Sequence, residues 1–114
     1  MRPRTVVCSS LGKGEHAVGC IALGRLSDTI CEVRTLFVRP EFRGLGAGRQ
    51  LVNACLQKAR DLEYDRARLD TLSFMNGAIK LYTSFGFYPI DPYLDVSDDL
   101  RRHIRFFELQ LNPA

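Results

Sequence analysis

At 114 residues, with 46% hydrophobic and 25% charged side chains, the chain has the length of one domain and the composition of an ordinary globular protein. Its formal charge of +3 at pH 7 is too small and too dispersed to argue for a nucleic-acid partner, and no apolar run approaches the ~18–20 residues that cross a bilayer. The N-terminal residues lack the charged-then-apolar layout of a signal peptide, so a cytoplasmic protein is expected.

Residues 5–10 and 16–26 are β-rich and separated by a turn carrying Gly12 and Gly14; Ser27 and Asp28 mark the next turn. In 29–38, Ile30, Glu32, Arg34 and Leu36 alternate with Cys31, Val33, Thr35 and Phe37, a strand pattern with an acidic residue on one face. Pro40 closes that strand, so the first third reads as an antiparallel meander. Beyond a glycine-rich stretch, Leu51, Val52, Cys55, Leu56, Ala59 and Leu62 fall on one stripe of a helix. Arg66–Leu72 is the next strand. A second helix places Ala78, Ile79, Tyr82 and Phe85 at helical spacing, with Gly86 where a left-handed C-cap is wanted. Residues 87–90 form a short strand, 91–102 a polar loop and 104–111 a last strand. There the apolar phase shifts between Phe106 and Phe107, which suggests a bulge. The order β-β-β-α-β-α-β-β predicts an α/β chain with a mixed sheet, since the strand–helix–strand crossover requires a parallel pair. The cysteines, Cys8, Cys20, Cys31 and Cys55, are scattered singly with no histidine placed to complete a ligand set. Reduced, buried thiols are expected, and no metal.

The stretch VRPEFRGLGAGRQLV, residues 38–52, joins the third strand to the first helix, and Gly44, Gly46 and Gly48 straddle the junction. A helix N-terminus leaves its first N–H groups unpaired and carries partial positive charge. With side chains removed there, an anion can approach several donors at once, and Arg43 and Arg49 add charge from either side. Two readings stand: the glycines permit close packing of two chain segments, or they cradle a phosphate. A dinucleotide turn needs GxGxxG after the first strand of a βαβ unit, and a P-loop needs a terminal Gly-Lys-Ser/Thr. The spacing here, GxGxG after a meander, fits neither.

This stretch resembles the acetyl-CoA-binding motif of the GNAT N-acetyltransferase superfamily, Arg/Gln-x-x-Gly-x-Gly/Ala, carried here by Arg43, Gly46 and Gly48. Downstream, AIKLYTSFGF (78–87) is similar to that family's AIxLYxxxGF, and CEVRTLFV resembles the strand that precedes its motif. The resemblance runs from about residue 18 to 111 and implies a single GNAT domain over residues 1–114. In that fold the strands flanking the first helix are parallel but splay apart. Acetyl-CoA would lay its pantetheine arm along the backbone of Leu36, Phe37 and Val38. Its pyrophosphate would rest on the amides of Gly44, Leu45, Gly46, Ala47, Gly48 and Arg49. The implied reaction is acetyl transfer to a primary amine by direct attack in a ternary complex. Glu32 would take the amine proton, directly or through water, and Tyr82 would donate a proton to the departing thiolate. Read without the resemblance, Tyr82 is a core aromatic and Glu32 a surface or edge carboxylate paired with Arg34.

The chain also departs from the family's pattern. Met75 stands where the family often carries Asn, so Asn76 is either a CoA contact or a helix cap. Glu63 occupies a turn where relatives commonly carry Gly, which implies mild backbone strain. Tyr93, in the 91–102 loop, is expected to reach the acceptor. The family's usual first strand and two helices, which wall the acceptor site, have no counterpart ahead of the meander. A homodimer sharing that site is therefore expected, and a non-catalytic CoA-binding module or truncated remnant is the alternative to an enzyme. Neither nucleic acid nor membrane is expected as a partner.

Overall fold

The computed structural model describes the backbone of residues 5–13 and 16–112 and the side chains of residues 18–112. The turn expected between the first two strands includes Gly14 and Glu15, which lie outside the described residues, as does the side chain of Cys8. Strands β1 (Thr5–Lys13), β2 (His16–Arg25) and β3 (Ile30–Val38) pair antiparallel as the expected meander. The β2–β3 turn is tied by the Ser27 hydroxyl, which accepts from the amides of Thr29 at 3.2 Å and Ile30 at 3.1 Å. Helix α1 (Ala47–Asp61) returns the chain to β4 (Arg66–Leu72), which runs parallel to β3. Helix α2 (Asn76–Ser84), β5 (Tyr88–Ile90), the four-residue α3 (Asp98–Arg101) and β6 (Ile104–Gln110) complete the chain order. The sheet order is β1-β2-β3-β4-β6-β5.

Because successive strand residues face opposite sides, the sheet has two distinct faces. Ile21, Leu23, Cys31, Val33, Ala67, Leu69, Phe107 and Leu109 face one way and pack with Leu51, Val52, Cys55, Leu56 and Ala59 of α1. Leu62, expected on that stripe, caps the helix and stays 43% exposed. The opposite face carries Gly24, Glu32, Arg68, Glu108 and Tyr88, which are successive cross-strand neighbours from β2 to β5.

The bulge expected at Phe106–Phe107 is not there: β6 pairs with β4 in unbroken register from Arg66–Gln110 to Leu72–Ile104. Both phenylalanines are buried because β6 is an interior strand covered on both faces, with Tyr93 of the 91–102 loop edge-on to Phe106 at 5.2 Å. A bulge occurs instead in β3. Between the pairs Cys20–Phe37 and Ala22–Arg34 the register slips by one residue, and Thr35 takes φ +54°. A β-branched residue in that region is a true outlier held by its surroundings. β3 and β4 then pair only at Ile30–Arg66, Cys31–Ala67 and Glu32–Arg68 before they part.

Both long helices end in the same way. Glu63 N–H bonds Arg60 O at 2.9 Å and Tyr64 N–H bonds Ala59 O at 3.1 Å; Gly86 and Phe87 repeat the pattern on Thr83 O (3.0 Å) and Tyr82 O (3.2 Å). The pivot of each turn is left-handed, Gly86 at φ +104° as expected and Glu63 at φ +66°.

Candidate active site

The parting of β3 from β4 opens two adjoining clefts. The larger, about 840 Å³, runs from Leu36, Phe37 and Val38 past Arg43, Gly44, Gly46, Ala47 and Gly48 to Met75, Asn76 and Gly77. The smaller, about 420 Å³, contains Glu32, Arg34, Thr35, Asp70, Thr71 and Tyr82. Leu36, Met75 and Ala78 line both, so the two form a continuous trough.

Physical chemistry separates the roles of the glycines. Gly44 (φ +81°) and Gly46 (φ +85°) sit in the left-handed region, and a Cβ on either would meet nothing within 4 Å. Their conformation, not crowding, calls for glycine, and their outer faces are open. At Gly48 a Cβ would touch Leu81 at 3.4 Å, so packing enters there. Gly46 is the N-cap of α1, and the first intrahelical bond runs from Gln50 N–H to Gly46 O at 3.1 Å. The amides of Ala47, Gly48 and Arg49 thus precede the helix's own ladder. An open cradle of backbone donors, with no acidic residue in the first turn of α1, fits an anionic phosphate group.

The two arginines are placed differently from each other. Arg43 donates Nε–H to Val38 O at 3.0 Å, lies 5.9 Å from the Phe37 ring centre and lines the larger cleft. The Arg49 side chain is drawn to the end of α2, donating to Ser84 Oγ at 2.9 Å with its guanidinium 5.2 Å from the Phe85 ring centre. Only its backbone belongs to the glycine junction. Leu45 is 71% exposed. Asn76 lines the larger cleft from the first turn of α2, while the N-cap position belongs to Met75, whose side chain makes no capping bond.

Glu32 is 1% exposed. Arg34 donates Nε–H to its Oε1 at 2.5 Å, and Tyr93 donates its hydroxyl to Oε2 at 2.7 Å. The pairing with Arg34 read from the sequence is therefore present, but the carboxylate is not at the surface: it is buried within the smaller cleft, where Arg34 and Tyr93 satisfy it. Tyr93, 61 residues away in sequence, arrives at the same carboxylate. Tyr82, from α2, is buried edge-on to Phe87 at 5.7 Å. Burial, with smaller contributions from Cys55 and Asp70, pushes its hydroxyl up to about 12, so it stays protonated at neutral pH. Burial also pushes Cys31 and Cys55 up to about 12, and both are free thiols. These two are structural hydrophobes rather than nucleophiles.

On the row next to Glu32, Glu108 accepts from Arg68 Nε at 2.9 Å and Tyr88 Oη at 2.6 Å. Burial raises this carboxyl, but the Tyr88 and Arg68 hydrogen bonds more than offset it and hold it below the usual range. Among the described residues, no three His, Cys, Asp or Glu side chains converge as a metal site, and no helix is long and apolar enough to cross a membrane.

Several site-forming residues had weaker sequence signals. A Cβ on Gly19 would lie 2.4 Å from Phe37 O and 3.0 Å from Val38 Cα, so this glycine admits the bulged edge of β3. One on Gly24 would lie 2.2 Å from Arg34 Cζ, so that glycine makes room for the guanidinium reaching Glu32. Glycine inside a strand is the readable sign of such close approach. Asp70, Phe74 and Gly77 joined the clefts without any motif to mark them.

Residues 2–87 match the acetyltransferase (GNAT) family. An uncharacterized N-acetyltransferase of Schizosaccharomyces pombe is 41% identical over 86 residues, covering 73% of this chain and 53% of that protein. The chain spans between 30% and 61% of the length of the curated relatives it matches. A candidate acyl-CoA N-acyltransferase of Klebsiella pneumoniae superposes with a TM-score of 0.82 at 26% identity, covering 92% of this chain and 72% of the other. A GNAT acetyltransferase of Elizabethkingia anophelis with acetyl-CoA bound shares the fold, with a TM-score of 0.76 at 18% identity over 90% of this chain and 74% of its own. With its meander, its parted parallel strands and its glycine junction, this chain belongs to the acetyltransferase (GNAT) family.

Proposed function

We propose that the chain transfers the acetyl group of acetyl-CoA to a primary amine by direct attack in a ternary complex. The observation that carries this reading is the continuous trough, with backbone donors at one end and the Glu32–Asp70–Tyr82 group at the other. The names of the N-acetyltransferase relatives support it, as does the acetyl-CoA held by a protein of the same fold.

Acetyl-CoA would supply the activated acetyl thioester; the chain's own residues supply binding, orientation and proton handling. The junction from Gly44 to Arg49 would hold the pyrophosphate on its amides, with Arg43 beside it. Asn76 would contact the same ligand from the opposite wall. Beyond Glu32, the backbone of Leu36, Phe37 and Val38 borders the parting from β4 and would pair with the pantetheine amides. Amides near Val38 would polarise the carbonyl where negative charge develops. An alkylamine, with a pKa near that of lysine at about 10.4, is mostly protonated at neutral pH and needs a base before it attacks. Glu32 lines the cleft where that amine would stand and takes this role. Tyr82 enters as a neutral hydroxyl donor. Because its proton is held more firmly than that of an ordinary thiol, at about 8.5, it stabilises the leaving sulfur chiefly by hydrogen bonding.

The test is thermal unfolding with and without acetyl-CoA, then free-thiol release with a panel of primary amines. Ligand at 100 times its Kd is expected to add about 2.7 kcal/mol of stability. No shift overturns the acetyl-CoA reading. A shift without thiol release for any amine favours a non-catalytic CoA-binding module.

A further inference from the structure

Tyr93 lies in the segment between β5 and α3, outside the motifs that define the acetyl-CoA cradle. Its ring is fixed on two sides. The Arg68 guanidinium lies 5.4 Å from its centre, and the Phe106 ring meets it edge-on at 5.2 Å. Held in this way, the hydroxyl reaches Glu32 Oε2 at 2.7 Å, while Arg34 occupies Oε1 at 2.5 Å. Arg68 is the β4 register partner of Glu32 and is itself anchored on Glu108 at 2.9 Å. Glu108 is gripped in turn by Tyr88 at 2.6 Å. One transverse row across β3, β4, β6 and β5 therefore fixes the ring whose hydroxyl meets the carboxylate.

We infer that Tyr93 is a positioning residue for Glu32, through which the 91–102 loop sets the orientation and proton affinity of the base. The inference rests on the reading of Glu32 as the base. A hydroxyl that donates to a carboxylate favours its ionised form, so removing that donor makes the carboxylate easier to protonate. Among the described residues, the charged or titratable groups around Glu32 include Arg34 on β3, Arg68 and Asp70 on β4, Glu108 on β6 and Tyr82 on α2. A Tyr93→Phe chain keeps all of these and keeps the ring between Arg68 and Phe106. It removes the hydroxyl that donates to Glu32 Oε2.

The experiment compares wild type, Tyr93→Phe and Glu32→Gln. Carbon-13 NMR tracks the glutamate side-chain carboxyls against pH, with the Glu32 signal assigned by its loss in Glu32→Gln. In parallel, the pH profile of kcat/KM is recorded with whichever amine of the panel is turned over. In Tyr93→Phe the Glu32 titration and the acidic limb of kcat/KM are expected to move together to higher pH. The acetyl-CoA thermal shift should stay unchanged. An unmoved Glu32 titration overturns the inference and leaves Glu32 as the base. A moved titration with wild-type turnover by Glu32→Gln overturns the reading of Glu32 as base, and the role of Tyr93 with it.

Discussion

The two clefts are built from different materials. The larger takes its shape from backbone conformation, two left-handed glycines, the start of α1 and the edge of a strand that has parted from its neighbour, with apolar side chains such as Phe42, Phe74 and Leu81 completing its wall. The smaller is a meeting of side chains, Glu32 and Arg34 from β3, Asp70 from β4 and Tyr82 from α2, with Tyr93 arriving from a loop. A backbone site requires particular residue types at fixed spacing, because only glycine adopts φ near +80° without cost. A side-chain site requires only that chemically suitable groups converge, and sequence distance places no limit on that. The two clefts should therefore break in different ways.

Gly46→Asp should break the larger cleft most completely. The position is open, and Asp is among the residues that tolerate left-handed backbone, so the domain should still fold. Its carboxylate would stand where the phosphate is expected, and the stabilisation by acetyl-CoA, about 2.7 kcal/mol at 100 times Kd, should vanish. A retained thermal shift would show that the anion lies elsewhere.

Gly19→Ala attacks the same cleft from behind. Its new methyl would press on Phe37 O, which is backbone and cannot rotate away. Overpacking of this kind costs about 1–3 kcal/mol. Urea unfolding should register that loss, and the acetyl-CoA shift should shrink with it, since the displaced residues border the trough. A stability loss with undiminished binding would mean that the β3 edge is not part of the ligand site.

This contrast also explains what could be read from the residues alone. The meander, both helices and the glycine junction arise from local periodicity and from φ requirements, and so they were legible. Thr35 at φ +54° was not, because no threonine announces a bulge; only Gly19 across the strand pair hinted at it. The Phe106–Phe107 phase shift is no sign of a bulge here, because burial on both faces of an interior strand imitates one. Tyr93 was legible as a loop residue near the site, but not its contact with Glu32, which depends on the tertiary approach of segments 61 residues apart.

The helix side of the sheet should respond to alkali, while the opposite face, where the hydrogen bond to Glu108 holds the Tyr88 hydroxyl above its ordinary value, should respond at both ends of the pH scale. On the helix side, Tyr82, Cys31 and Cys55 are buried neutral, each pushed up to about 12 from ordinary values of 10 and 9. Their contribution is complete below pH 9 and should be lost as pH rises from there through 12, with Tyr82 accounting for about 3 kcal/mol of it. Glu108, on the other face, is held below its ordinary value, so its contribution is present at neutral pH and lost on acidification. Melting temperature against pH tests this: Tyr82→Phe should flatten the alkaline limb and leave the acid limb unaltered. Equal effects on both limbs would rule out this division.

The smallest expected effect provides a control for the other comparisons. Glu63 and Gly86 pivot identical helix-ending turns, yet only one is glycine. Glu63 borders neither cleft, so its strain serves no described contact with the trough. Glu63→Gly should relieve about 1 kcal/mol of left-handed strain, partly offset by the greater freedom of glycine in the unfolded chain. A net gain of about 0.5 kcal/mol in urea unfolding is expected, with acetyl-CoA binding unchanged. Altered binding would mean that stability at the far end of α1 is transmitted to its N-terminal cradle. The losses at Gly19 and Gly46 would then no longer count as local evidence for the site.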